Sequence, residues 1–351
     1  MRPSPSAVTT LGSTDHRDAV VRLTLENPSD RRIHVTDVRI SYLRGSQILK
    51  TEERGPDFFT RDRIEREDRI DRGTRVDWPG ICLSPVPDEA DRVRFDLELS
   101  TRRGIGQIRS LQSVDVPLRP APSPRALKLP FQGMWRISQG HTCRTDHRIG
   151  GHGGDFAWDF HALDPGSGAS VNEVYSITRR NRDTVTFGRP ILAPADGRVV
   201  RVVNDEPDNE GLRDFPRRSL LEDLSRPLWI IGNHVVLDLG DSQYLLLGHL
   251  KQGSILVKPG DDVRVGEPLA AAGNSGNSIE PHLHIQVMDR DDPTDPAVAG
   301  VPALFRDYLE ITGHNRDDRR DATIRRIDAG DPPEGGVVRP FPPERSDPRN
   351  E

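Results

Sequence analysis

Short runs of alternating apolar and polar residues fill the first third of the chain. Residues 19–26, AVVRLTLE, alternate with the period of two that is typical of a half-buried strand, and the turn-forming NPSD follows them. Further alternating runs lie at 33–43, 92–99 and 107–118. Strands separated by turns in this way are typical of two packed antiparallel sheets. The pattern therefore predicts an immunoglobulin-like β-sandwich over roughly 15–118.

The second half of the chain holds a denser series of apolar strands. The runs GRVVRVV, HVVLDL, YLLLGHL and HLHIQVM lie between 197 and 288 and are separated by Gly, Pro, Asn and Asp turns. They predict a second, antiparallel all-β unit, so the predicted fold class is all-β throughout. Two stretches without a strand pattern, at about 163–190 and 205–228, are expected to be long surface loops bordering a cleft.

A proline-rich segment separates the two predicted domains. VPLRPAPSPRALKLP holds five prolines, which favour an extended backbone and cannot join a central ladder of hydrogen bonds. We therefore expect a sandwich over 1–118, whose first residues to about 15 are disordered, a linker over 119–128, a second domain over 129–330 and a poorly ordered tail over 331–351.

Charge, hydropathy and cysteine usage narrow the possible partners. The formal net charge of the 351 residues is -6, and acidic residues are interleaved with the basic ones, which argues against nucleic acid. No run of about 18 apolar residues predicts a membrane span, and the first residues lack the apolar core of a secretory signal. The two cysteines, Cys82 and Cys143, fall in different predicted domains, so we expect unbonded thiols.

Histidines and one aspartate suggest a metal site in the second domain. Alternate residues of a strand share a face, so His282 and His284 of PHLHIQV would enter one site. His249 ends the strand YLLLGHL, and His152 and Asp159 surround a glycine-rich turn in GGHGGDFAWDF. A catalytic zinc takes three protein ligands plus water, and histidine nitrogen and carboxylate oxygen suit it. The pattern is therefore consistent with a single zinc ion.

Several motifs in the same order resemble the M23 metallopeptidases, the lysostaphin-like family. They are HGGDFAWDF, then ADGRVV, then GNHVVLDLGDSQYLLLGHL, then VKPGDDVRVGEPLAAAGNSGNSIEPHLHIQV. The resemblance implies that the second domain is an M23-like antiparallel β peptidase domain. It also implies that His152, Asp159 and His284 ligate one zinc ion, and that His249 and His282 are an unliganded catalytic pair.

The activity that the resemblance implies is that of a zinc metalloendopeptidase. Zinc-bound water would attack a peptide carbonyl in peptidoglycan stem peptides or cross-bridges, or in another peptide substrate. His282 is our candidate for the general base and His249 for the oxyanion partner, although the sequence leaves these two roles open. A peptidoglycan substrate implies an extracytoplasmic location in the cell envelope. The sequence does not indicate which protein partner the N-terminal domain would bind.

Alternatives exist for several site positions. His147 is the alternative to His152 as the first ligand because histidines crowd this region, and Asp155 is the alternative to Asp159. Gln286 stands where the family often has Glu, and we expect its amide oxygen to accept a hydrogen bond at the site.

Two further histidines and two other functions complete the set of candidates. His161 shares a strand face with Asp159 and is a candidate for lining the site, whereas His234 is expected to be structural. The alternative function is a catalytically degenerate M23-like module that binds cell-wall peptides or a partner protein. A biotinyl or lipoyl carrier is disfavoured because no lysine occupies a suitable hairpin tip.

Overall fold

The computed structural model describes two compact units, which we treat separately. The described residues are 6–11, 17–55, 69–103, 106–119, 124–140, 147, 152–164, 180–210, 230–295, 297–312 and 323–341. Within these ranges, no helix has the length and apolar character needed to cross a membrane.

The first unit consists of two antiparallel sheets. Its strands are β1 (Ser6–Leu11), β2 (Arg17–Glu26), β3 (Ile33–Arg44), β4 (Gln47–Arg54), β5 (Arg69–Ile70), β6 (Arg75–Val86), β7 (Arg92–Arg103) and β8 (Gly106–Pro117). One sheet has the order β1-β2-β6, and the other has the order β4-β3-β7-β8, with β5 paired to β3.

Alternation along the strands of this unit produces one shared core. In β7, Val93, Phe95 and Leu97 are buried, whereas Arg94 and Asp96 between them are partly exposed. Apolar residues from both sheets meet in a single cluster. The all-β prediction is confirmed for this unit, while its immunoglobulin-like type stays a prediction.

The second unit is built on one large mixed sheet. Its strands are β9 (Arg125–Lys128), β10 (Trp135–Gln139), β11 (Trp158–Ala162), β12 (Pro190–Leu192), β13 (Gly197–Val203), β14 (Asn233–Asp238), β15 (Tyr244–Leu250), β16 (Asp262–Val263), β17 (Pro268–Ala271), β18 (Leu283–Met288), β19 (Gly300–Val301), β20 (Ala303–Thr312), β21 (Thr323–Gly330) and β22 (Val337–Pro340). Short 3-10 turns occur at Gly154–Phe156 and Asn181–Asp183.

The main sheet places four apolar strands side by side at its centre. Its order is β16-β13-β14-β15-β18-β11-β10-β22-β20-β21, with β19 on β18 and β9 parallel to β20, while β12 and β17 form a separate pair. Strands β14, β15, β18 and β11 are buried almost throughout because both of their faces are covered. Strands buried on both faces are apolar with little alternation, as these sequences are.

Three strands lie where the sequence predicted no regular structure. Strand β1 falls within the segment expected to be disordered, β9 within the predicted linker, and β22 within the predicted tail. Leu127 of β9 and Val338 of β22 are fully buried in the main core, so tertiary packing outweighs the local proline content. Most of the two predicted long loops, and residues 342–351, lie outside the described residues.

The expectation of unbonded thiols was wrong. Cys82 is disulfide-bonded, and the only other cysteine of the chain is Cys143, which lies outside the described residues. Cys82 lies on β6 beside Val20 of β2, in the first unit. The sequence argument failed because it assigned the two cysteines to separate domains, and a disulfide depends on proximity in space.

Candidate metal centre

Three neighbouring strands of the second unit place an aspartate beside a histidine. Asp159 of β11 pairs directly with His284 of β18, and Gly248 of β15 pairs with His284 on the other side. Oδ1 of Asp159 lies 2.9 Å from Nδ1 of His284 and 3.6 Å from Nε2 of His282. The structure therefore brings together both histidines of the HxH motif and the predicted aspartate.

A β-bulge directs His249 toward these residues. The pairing of β15 with β14 shifts in register, so that two residues of β15, Gly248 and His249, lie opposite one residue of β14, His234. His249 has a φ of 54°, a left-handed value that is uncommon for a residue with a side chain. Its ring centroid lies 4.5 Å from that of His282 and 5.6 Å from that of His284. The bulge thus places the third histidine beside the other two.

Asp159 and His284 are two of the three predicted metal ligands, and the structure places them in direct contact. Nδ1 of His152 lies 3.0 Å from the carbonyl oxygen of Pro293, and the backbone carbonyl of His152 accepts a hydrogen bond from Nε2 of Gln286. The choice of His152 as the first ligand stays a prediction.

The hydrogen bonds of His284 indicate a position for a cation. Nε2 lies 2.8 Å from Oε1 of Gln286, whose own Nε2 donates to the carbonyl of His152 at 2.7 Å. The amide nitrogen of Gln286 donates to the His152 carbonyl, so the amide oxygen of Gln286 faces the His284 ring. This oxygen can only accept, and Nε2 of His284 must therefore donate to it. Nδ1 then faces the Asp159 carboxylate, another acceptor, so a proton or a metal ion between these two atoms would satisfy both.

A second polar pair, His161 and Glu280, borders the same site. Nε2 of His161 lies 3.7 Å from Oε1 of Glu280, and the His161 ring stacks at 5.5 Å on His282. Burial lowers the pKa of His161 to about 3, and burial together with the charge of Asp159 raises the pKa of Glu280 to about 7. His161 is therefore neutral at pH 7, and the contact is not a full ion pair.

The catalytic candidates are also strongly desolvated. His249 is buried, and the loss of water around its ring lowers its pKa well below the ordinary value, with the neighbouring rings of His282 and His284 adding to the effect. A neutral imidazole has one nitrogen that donates and one that accepts. The hydrogen bonds to Nδ1 therefore decide which nitrogen can take a proton.

Sequence reasoning missed the polar residues that surround the histidines. Glu280, Ser278 and Asn274 lie in the segment AAGNSGNSIE, in which no candidate site residue was predicted. Ser278 and Asn274 are almost fully buried. The sequence did carry a signal for them: this segment lies between two apolar strands and contains several amide and hydroxyl side chains. Polar groups buried there need hydrogen-bond partners, which predicts a polar network.

Asp159 in contact with His284, with His249 and His282 beside them, has the composition of a hydrolytic metal site. Residues 183–296 match the sequence profile of Peptidase family M23. The resemblance to the M23 metallopeptidases that the motifs predicted is thereby confirmed for this part of the chain. The matched range includes His249, His282 and His284, whereas Asp159 precedes it.

Relatives of this domain include two bacterial proteins. The peptidoglycan DD-endopeptidase ShyB of Vibrio cholerae is 30% identical over 116 residues, 33% of this chain and 21% of ShyB. An uncharacterized metalloprotease of Haemophilus influenzae is 29% identical over 119 residues, 34% of this chain and 20% of the relative. The chain thus spans about a fifth of the length of both relatives. They support a metallopeptidase function for the domain.

A solved M23 structure is also similar to this chain. It is a mutant of the catalytic domain of the prophage-encoded M23 protein EnpA from Enterococcus faecalis, and it aligns at 20% sequence identity with a TM-score of 0.28. The alignment covers 48% of this chain and 88% of that chain.

Proposed function

We propose that this chain is a zinc metalloendopeptidase that hydrolyses peptide bonds of peptidoglycan. The observation that carries the proposal is the setting of His284. One ring nitrogen is held by the amide oxygen of Gln286, and the other faces the carboxylate of Asp159 at 2.9 Å. This environment favours a cation, and the mixed nitrogen and oxygen donors suit zinc.

We assign two zinc ligands to Asp159 and His284, which lie in direct contact. A further histidine would complete the set: His152, as the motif resemblance implies, or its alternative His147. The backbone carbonyl of His152 also orients Gln286. A zinc ion held there would acidify a water molecule and polarise the substrate carbonyl.

His282 and His249 are the proposed proton-transfer groups. Nδ1 of His282 donates to the carbonyl of Glu280 at 2.9 Å, and Nδ1 of His249 donates to the carbonyl of Ser275 at 2.8 Å. Both rings therefore carry their lone pair on Nε2, the nitrogen that can accept a proton. His282 would take the proton of the attacking water and pass it to the leaving amine, and His249 would share the charge that develops on the carbonyl oxygen.

Peptidoglycan is the proposed substrate because of the relative ShyB, which is named as a peptidoglycan DD-endopeptidase. The disulfide at Cys82 favours an oxidising compartment, which agrees with a cell-envelope location. We therefore expect the chain to act on cross-linked stem peptides outside the cytoplasm.

Metal analysis and a hydrolysis assay test the proposal together. Protein purified without chelators should contain about one zinc per chain, and it should cleave a purified cross-linked muropeptide dimer. His284→Ala should lose both the zinc and the cleavage. Less than half an equivalent of zinc in the wild type, or unchanged cleavage by His284→Ala, would refute the proposed site. Full zinc content without cleavage would favour a module that only binds cell-wall peptides.

Two matched histidine variants test which histidine completes the ligand set. His152→Ala should lower zinc affinity by at least 100-fold, because it removes one of three ligands while it retains the backbone carbonyl that holds Gln286. His147→Ala should keep its zinc. The reverse result would assign His147 as the first ligand.

A further inference from the structure

Both proposed proton-transfer histidines are held by the same short segment. The segment 274–280 connects β17 to β18, and its carbonyls at Ser275 and Glu280 accept the Nδ1 protons of His249 and His282. A carbonyl oxygen can only accept a hydrogen bond, so these contacts specify the Nδ1–H tautomer of both rings. The conformation of the segment therefore determines which nitrogen can act as a base.

Ser278 adds a side-chain contact to one of these rings. Its Oγ lies 3.2 Å from Nδ1 of His282 and 2.6 Å from Oδ1 of Asn274. Nδ2 of Asn274 donates to Oδ1 of Asn181 at 2.9 Å and to the carbonyl of Asn209 at 2.8 Å, which leaves Oδ1 of Asn274 as an acceptor. Oγ of Ser278 also lies 2.9 Å from the carbonyl oxygen of Glu280, which is itself the acceptor for Nδ1 of His282. The shorter contact with Asn274 favours donation of the hydroxyl to Asn274, and its oxygen can then accept from His282.

The amide side chains behind Ser278 are buried and hold the segment at several points. Nδ2 of Asn209 donates to the carbonyls of Gly276 and Ser278 at 2.6 and 2.9 Å. Asn181, Asn209 and Asn274 are each at most 2% exposed. Leaving a buried amide unpaired is costly, so this network resists rearrangement of the segment.

We propose that Asn274, acting through Ser278, is a positioning residue that reinforces the contact of His282 with the Glu280 carbonyl and so holds the ring in the Nδ1–H tautomer, with Nε2 directed toward Asp159. The catalytic consequence rests on the proposed peptidase function. The tautomeric consequence does not, since it follows from the hydrogen bonds alone. Neither Asn274 nor Ser278 belongs to the group of proposed metal ligands.

The test uses the zinc-loaded full chain with Ser278→Ala, Ser278→Thr and Asn274→Asp. Ser278→Ala should lower kcat on the muropeptide dimer about 10-fold without changing KM or zinc content, because it removes one of the two acceptors that face Nδ1 of His282 and hold Nε2 as the base. Ser278→Thr retains the hydroxyl and should restore kcat. Asn274→Asp places an oxygen against two acceptors and should lower kcat further.

Nitrogen NMR of ¹⁵N-histidine-labelled protein supplies the readout that a merely structural role would not change. The His282 signals, assigned by their loss in His282→Gln, should show protonated Nδ1 in the wild type and a mixture of tautomers in Ser278→Ala. The control is Ser254→Ala, since Ser254 also donates to a backbone carbonyl but contacts none of these histidines. It should leave the His282 signals and kcat unchanged.

The outcomes separate the two proposals. Wild-type His282 signals and wild-type kcat in Ser278→Ala would overturn the positioning role, as would the same tautomer shift in Ser254→Ala. A wild-type chain that cleaves no muropeptide would overturn the proposed function, while the His282 signals would still decide the positioning role.

Discussion

Gln286 shows how one residue adjusts the proposed metal centre. The sequence suggested that its amide oxygen would accept a hydrogen bond, and the contact with His284 at 2.8 Å confirms this. Gln286→Leu removes the acceptor, so we expect zinc affinity to fall about 10- to 100-fold. Gln286→Glu keeps an acceptor and should bind zinc at least as tightly as the wild type. Competition with a chromogenic chelator measures both, and equal affinity of wild type and Gln286→Leu would contradict the proposed support of His284.

His234 makes stability depend on pH. It is fully buried, and burial lowers the pKa of its ring from 6.5 to about 4. The unfolded chain therefore binds a proton at this position between pH 6.5 and 4, whereas the folded chain does not. The contribution is complete above pH 6.5, and up to about 3 kcal/mol is lost as the pH falls to 4.

Urea unfolding of the zinc-free protein across this range tests the contribution of His234. The control is His234→Asn, whose side-chain nitrogen can replace Nδ1 as donor to the carbonyl of Gly232 but does not titrate. The slope of its free energy of unfolding against pH should be smaller than that of the wild type, and the difference should correspond to at most one bound proton. Identical slopes in the two proteins would show that His234 is not a buried neutral ring.

At the residue scale, the sequence predicted the positions of the site residues that lie on regular strands. The face shared by His282 and His284 follows from the period of two, and Asp159 lies on a strand of the same kind. The choice of His152 over His147 as the first ligand stays a prediction, because no strand pattern in the sequence fixes the position of either residue. Asn274 and Ser278 were missed because their role depends on partners distant in the chain.

At the element scale, Gly273 links the end of β15 to the start of β18 and so positions the two catalytic candidates, His249 and His282. The nitrogen of Gly273 donates to the carbonyl of His249 at 3.1 Å, and Gly273 forms an isolated bridge with His282. A Cβ on Gly273 would clash with the backbone of Leu250 and Lys251. Gly273→Ala should therefore lower the free energy of unfolding by about 1–3 kcal/mol and reduce kcat.

Gly253→Ala is the matched control for this prediction. Gly253 has a φ of 70°, and a Cβ there would meet no atom within 4 Å. Its replacement should cost about 1 kcal/mol through backbone strain alone and leave kcat unchanged. Chemical denaturation and hydrolysis of the muropeptide dimer measure both effects. Wild-type stability and kcat in Gly273→Ala would show that this close approach is not needed.

The strand series was predictable at this scale, whereas the bulge was not. Apolar runs such as YLLLGHL mark a strand, and strict alternation would direct Gly248 and His249 to opposite faces. The bulge arises from pairing with β14, which no local pattern encodes. The sequence could therefore place His249 on the right strand without explaining how it reaches the site.

At the scale of the whole molecule, the all-β class and the M23 domain followed from the sequence, but the disulfide did not. Cys82 is bonded, so Cys82→Ser together with Cys143→Ser should destabilise the chain by about 2–4 kcal/mol. Thermal unfolding with and without dithiothreitol measures the effect: reductant should lower the Tm of the wild type and leave that of the double variant unchanged. Because a bonded pair cannot be alkylated, denatured but unreduced wild type should also take up no iodoacetamide. Two labelled thiols in that experiment, or equal Tm values for wild type and double variant, would contradict a stabilising disulfide and remove its support for an oxidising compartment.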